Sequence, residues 1–162
     1  MSARHCTLAA GALLALLIGA CGVARDLDTG TPELHVADAQ ASAPVAGVSQ
    51  LVLSIENRGD GDDRLVAADT DAALAIEIHR TEIEADGRAF MRRLDDVPLP
   101  SGEQVHFRPG GLHLMVVVPD ERVRVGGTFE TTLRFAHSDP ITLTVTVVEL
   151  LDLVERDVRG AG

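Results

Sequence analysis

The chain has 162 residues and a formal charge of −11, from 14 basic and 25 acidic residues. Every basic residue is arginine, Trp and Tyr are absent, and Phe occurs only four times. This composition excludes a nucleic-acid partner, which needs a basic stripe, and a stacking platform for bases or sugars, which needs aromatic rings; the length suits one domain with a real core and a tail or two.

The chain begins "MSARHC", basic through Arg4, and continues as the apolar run "TLAAGALLALLIGA". That run is short for a membrane span and reads as a signal peptide over residues 1–20. It ends in "LIGAC", residues 17–21, which looks like a bacterial lipobox. Gly19 and Ala20 supply the small residues the cleavage site needs, and Cys21 is the residue to be lipidated. The alternative is an ordinary secretory signal in which Cys21 is incidental. Both predict export, either to a lipid anchor at the outer face of the cytoplasmic membrane or to the periplasm. Cys6 leaves with the signal, so the mature domain has no thiol to pair or to ligate with, and its stability must come from its core. Residues 21–32, small and polar without a period, predict a lipid-anchored tether.

From "ELHVAD" onward the pattern is one of short strands broken by Gly, Asp and Pro. "SQLVLSIEN" runs into the acidic turn "RGDGDD", read as a hairpin. "RLVAAD", "ALAIEIHR" and "RAFMRRL" follow, then a loop "VPLPSGE", then "QVHFRPGG", "LHLMVVV", "GGTFETTLRF" and "ITLTVTVVEL". In the last, Ile141, Leu143, Val145 and Val147 alternate with Thr142, Thr144 and Thr146, as in a strand with one wet face. About eight or nine short strands predict an all-β domain over residues 33–150, a Greek-key β-sandwich or small barrel. A C-terminal tail, residues 151–162, frays or forms a brief helix.

Residues i and i+2 of a strand share a face. In "GGLHLMVVVP", Leu112, Leu114 and Val116 therefore take one face, and His113 with Met115 the other. In "LAIEIHR", Leu74, Ile76 and Ile78 oppose Glu77 and His79; in "RAFMRRL", an inward Phe90 turns Met91 outward with Ala89 and Arg93. His79, Met91, His113 and Met115 thus all fall on faces that the apolar pattern does not claim, and the mature chain has no other methionine. A lone Met usually fills a gap in a core, but two on polar faces, each near a histidine, are a different pattern. Thioether sulfur is soft and uncharged, suits Cu(I), and binds hard cations poorly. Only the imidazoles of such a set make binding pH-dependent.

His79 and Met91 are twelve residues apart, twenty-one residues (92–112) follow, and His113-Leu114-Met115 closes the pattern. This spacing resembles the copper motif of the PCu(A)C-type periplasmic copper chaperones. "NRGDGDDRLV", "IEIHRTE", "DGRAFMRRL" and "VPLPSGEQVHFRPGGLHLMV" carry the likeness over about residues 46–149. The resemblance implies a cupredoxin-like β-sandwich holding one Cu(I) near its surface through His79, Met91, His113 and Met115. It also implies transfer of that copper to a respiratory copper protein, typically cytochrome oxidase. The position after His79, often Met in that family, is Arg80 here, and the tail lacks the His and Met that many members carry, so no second copper site is expected there.

His106 lies on the outward parity of its strand and reads as solvated; His35 and His137 carry no motif. "DGDD", residues 60–63, lacks the ligand spacing of a calcium loop. A blue-copper carrier needs a cysteine ligand, and no nucleophile elbow is present, so no enzyme is expected. Two other readings stay open from sequence: a periplasmic copper storage or resistance lipoprotein using the same site, and a structural β-sandwich lipoprotein in which the four residues are bystanders.

Overall fold

The structure is a computed structural model describing residues 30–160. The signal segment, Cys21 and most of the tether lie outside the described residues. Ten strands and one helix follow in chain order: β1 Leu34–Ser42, β2 Val48–Asn57, β3 Asp63–Asp69, β4 Ala73–Ile83, β5 Ala89–Leu94, β6 Val97–Leu99, β7 Gln104–Phe107, β8 Leu112–Pro119, β9 Thr128–Phe135, β10 Ile141–Val148 and α1 Leu150–Gly160. Among the described residues no helix is long and apolar enough to cross a membrane.

The strands form one continuous path, β5-β4-β8-β2-β1-β10-β9-β3-β6, with β7 added beside β2. All pairings are antiparallel except β1 with β10. The path wraps around a single core. Leu51, Leu53 and Ile55 of β2, Leu114 and Val116 of β8 and Ile78 of β4 meet Leu65 of β3, Phe129 and Leu133 of β9 and Val145 and Val147 of β10, all buried. The alternation expected in β10 holds: Val145 and Val147 are buried while Thr142, Thr144 and Thr146 face solvent.

Four expectations need correction. Val97–Leu99, taken as loop, is the short edge strand β6. Val97 and Leu99 are buried against β3, in register with Leu65 and Asp63, and Pro98 between them is tolerated because an edge strand can do without that ladder donor. The acidic turn after β2 is not a hairpin turn, because β2 and β3 do not pair; it carries the chain from one half of the sandwich to the other. Leu74 and Phe90 point away from the histidine face as parity requires, yet they are exposed because β4 and β5 reach past the edge of the core. Thr31, expected to belong to a tether, is fastened to the body: its N–H donates to the Asp60 carboxylate at 2.7 Å, and Asp60 N–H returns a bond to the Thr31 carbonyl at 3.2 Å. Gly59 permits this close approach, since a Cβ there would sit 2.1 Å from the Thr31 carbonyl oxygen.

The C-terminal tail forms α1. It packs through buried Leu153, leaving Leu151, Val154 and Val158 toward solvent.

Candidate metal site

The site lies on the face of β4, β5 and β8 that turns away from the core. His79 of β4 is the direct cross-strand partner of His113 of β8. One row along, Glu77 stands opposite Met115; one row the other way, Thr81 stands opposite Met91 of the edge strand β5. Directly paired residues share a face and sit about 5 Å apart at Cβ, so His79 and His113 are neighbours, while Met91 and Met115 lie on the same face in the rows on either side of that pair, at diagonal corners of the patch. The rings of His79 and His113 are 6.1 Å apart between centroids and inclined at 46°.

The patch is graded in exposure. His113 is 0 % exposed, the His79 side chain 13 %, and Met91 53 %. The sequence placed all four on a polar, outward face, and parity is right about the side of the sheet. It is wrong about solvent at His113, which is enclosed. Burial pushes the His113 imidazole below the ordinary histidine value, the hydrogen bond to Gly111 opposes that, and the neighbouring His79 adds to it. The net lowering favours the neutral ring, the form in which an imidazole binds a metal.

Each ring is held by one nitrogen. His113 Nδ1 lies 3.0 Å from the Gly111 carbonyl oxygen, which can only accept, so Nδ1 carries the proton. His79 Nε2 lies 2.9 Å from a Glu77 carboxylate oxygen, and there too the nitrogen donates. The other carboxylate oxygen of Glu77 accepts from Arg93 Nη1 at 2.9 Å, tying β5 to β4 beside the rings. The remaining ring nitrogens, His79 Nδ1 and His113 Nε2, are buried and have no hydrogen-bond partner. Buried polar atoms are nearly always satisfied, and an exception calls for an ion or another explanation. Two unpartnered ring nitrogens on neighbouring imidazoles, with two thioethers on the same face, make a donor set suited to a soft monovalent cation when both rings are neutral.

The "RPGG" turn sets this geometry. Gly110 takes φ +72°, a conformation that favours glycine. Arg108 N–H donates to the Leu112 carbonyl at 2.6 Å, closing the turn. The Gly111 carbonyl then receives both Thr81 N–H, at 3.0 Å, and the His113 ring. Gly111, Arg93 and Gln50 belong to the site region although sequence reading gave them no role. Gln50 of β2 is in register with Met115 and has a buried, unpartnered Oε1. For Arg93 the signal was available, since parity already placed it beside Met91.

The remaining candidates separate from the patch. His106 is exposed on β7, and His137 is exposed beyond β9. His35, half exposed, contacts Glu33 at 3.1 Å. The acidic turn does not form a calcium loop: Asp60 holds Thr31 N–H, Asp62 accepts from Ser101 N–H at 2.8 Å, and Asp63 is buried with backbone partners.

Residues 33–147 match the family model described as "Putative lipoprotein LpqE-like". The chain belongs to the LpqE-like family. A curated relative, "Putative lipoprotein Lxx21020" of Leifsonia xyli subsp. xyli, is 26 % identical over 147 residues, covering 86 % of this chain and 89 % of the relative. Among solved structures, the copper-bound PCuAC domain from PmoF2 superposes with a TM-score of 0.59 at 25 % identity, over 72 % of this chain and 92 % of that one. The Cu(I) form of DR1885 from Deinococcus radiodurans superposes with a TM-score of 0.58 at 21 % identity, over 72 % of this chain and 78 % of that one. The LpqE-like chain therefore has the cupredoxin-like β-sandwich of the PCuAC domains.

Proposed function

We propose that this LpqE-like chain is an exported, lipid-anchored copper chaperone. It carries one Cu(I) on His79, Met91, His113 and Met115 and hands it to a respiratory copper centre such as that of cytochrome oxidase. The observation that carries the reading is the pair of buried imidazole nitrogens, His79 Nδ1 and His113 Nε2, left without partners on the face that also bears Met91 and Met115. Likeness in fold to a copper-bound PCuAC domain supports it.

The chemistry suits a carrier. Four neutral donors leave the ion its single positive charge, so the site lacks the added attraction of a thiolate and suits release as well as capture. The exposed Met91, on the edge strand, is the donor an acceptor reaches first. His113, enclosed and held by Gly111, is the donor that stays.

Anaerobic titration of the mature protein should show one Cu(I) per chain, strongly preferred to Zn²⁺. X-ray absorption of the product should show sulfur and nitrogen neighbours together. A site with only nitrogen and oxygen neighbours would remove Met91 and Met115 from the ligand set. Loss of the gene separates carrier from store: a carrier's absence starves the oxidase of copper, whereas a store's absence raises sensitivity to copper.

The anchor has its own test. Cys21→Ser should leave the protein unlipidated and either uncleaved or mislocalised, read by radiolabelled palmitate and membrane fractionation. A normally processed, membrane-bound variant would eliminate the lipobox.

A further inference from the structure

The two histidines are not equivalent in how they are held, and the difference traces to a residue outside the copper motif. His113 is fixed by a backbone carbonyl, that of Gly111 at 3.0 Å, which no side-chain substitution removes. His79 is fixed by a side chain. Glu77, two residues earlier on the same face of β4, accepts a hydrogen bond from His79 Nε2–H at 2.9 Å with one carboxylate oxygen and from an Arg93 N–H at 2.9 Å with the other. The Glu77 side chain is largely sheltered, at 28 % exposure, and two donors on different strands set its rotation.

We propose that Glu77, held by Arg93, is the positioning residue that fixes His79 with its proton on Nε2, so that His79 meets copper through Nδ1 while His113 meets it through Nε2. This rests on the Cu(I) reading of the patch; the tautomer it assigns does not. The argument is one of hydrogen-bond direction. A carboxylate accepts, so the nitrogen beside it must carry the hydrogen, and a neutral imidazole then has its lone pair on the other nitrogen. The nitrogens freed in this way are the two buried atoms that lack a partner. Outer carboxylates of this kind orient a ligating histidine and raise its basicity, and their loss typically costs about 10–100-fold in metal affinity. Arg93 adds a second consequence. It shares the face of β5 with Met91, so its bond to Glu77 ties the strand carrying the exposed thioether to the strand carrying His79.

The test uses the mature protein, wild type and three variants, first without metal and then with Cu(I). Long-range proton–nitrogen NMR at one alkaline pH reads the tautomer of each ring. In the wild type, His79 should be protonated at Nε2 and His113 at Nδ1. Glu77→Ala should let His79 distribute between both tautomers, leave His113 as it was, and lower Cu(I) affinity about 10–100-fold with the thermal midpoint little changed. Glu77→Gln, which keeps an oxygen able to accept the Nε2 proton, should recover a substantial part of both losses. Arg93→Ala should fall between the wild type and Glu77→Ala. It also stands in should Glu77→Ala fail to fold, in which case an unchanged His79 tautomer and affinity in Arg93→Ala would count against the role. If Glu77→Ala retains a single His79 tautomer and wild-type affinity, Glu77 is a rim ion pair and the assignment is overturned. If the wild type binds no Cu(I) while the tautomers behave as stated, the copper reading fails and the positioning of His79 by Glu77 stands.

Discussion

Leu114→Ala and Met115→Ala, one residue apart, should fail in opposite ways. Leu114 is completely buried, and its neighbours in register, Leu51 of β2 and Ile78 of β4, are core residues as well. Truncating it removes apolar contacts and leaves a cavity that the packed core around it collapses only in part, a loss of about 2–5 kcal/mol. Against a typical domain stability of about 5–15 kcal/mol this should lower the thermal midpoint by roughly 10 °C or more. A variant that still folds should still bind Cu(I), because the site is on the opposite face. Met115 is only partly buried and lies between Glu77 and Gln50 in register. Its loss should cost the metal-free protein about 1 kcal/mol but remove one of two sulfur donors, lowering Cu(I) affinity by more than about 100-fold, beyond the typical effect of losing an outer-shell partner. Denaturation curves without metal, matched to Cu(I) competition titrations, separate the two. A Met115→Ala protein that is badly destabilised yet binds copper normally would make the thioether a core filler.

The same strand shows how far sequence reaches. Alternation in "LHLMVVV" assigns Leu112, Leu114 and Val116 to the core and His113 with Met115 to the other face, and the structure agrees because the two-residue period is a local property of the backbone. Which strand lies beside which is not local. The register that sets His79 against His113 and Met91 one row away comes from pairings across stretches of chain that no period encodes. Parity likewise names a face but not its cover. It leaves His113 on an outward side without indicating that the side is enclosed there, and it turns Phe90 inward without indicating that β5 overhangs the core. The strand β6 was missed for a third reason: three residues around a proline carry too little pattern, and only burial against β3 makes them a strand. Positioning contacts are hardest to read. Glu77 and Arg93 were on the correct face from the start, but a hydrogen bond to one nitrogen of an imidazole is invisible until the rings have coordinates.

Asp63→Ala should be among the most damaging single substitutions in the domain, although the sequence shows only an acidic turn. Asp63 is 2 % exposed at the start of β3, and its carboxylate joins that strand to the segment after β9. One oxygen accepts from Arg64 N–H at 2.7 Å and His137 N–H at 3.0 Å; the other accepts from Ser138 N–H at 2.9 Å and the Ser138 hydroxyl at 2.5 Å. Alanine would leave those donors without an acceptor, at about 1–3 kcal/mol for each that stays buried, so a total loss above about 3 kcal/mol is expected. Asparagine keeps one acceptor oxygen and should lose less. Burial alone would raise the Asp63 carboxyl; the bonds from Ser138, Arg64 and His137 outweigh it and hold the carboxyl below its ordinary value. A depressed folded value means that the ionised group stabilises the native state. That contribution is complete above the unfolded value, about 3.9, and is lost as pH falls from there through the lower folded value. Urea midpoints of the wild type should therefore decline over that acidic interval, and those of Asp63→Asn should decline less. Equal slopes in the two proteins would show that other carboxylates, not Asp63, set the acid limit of the fold.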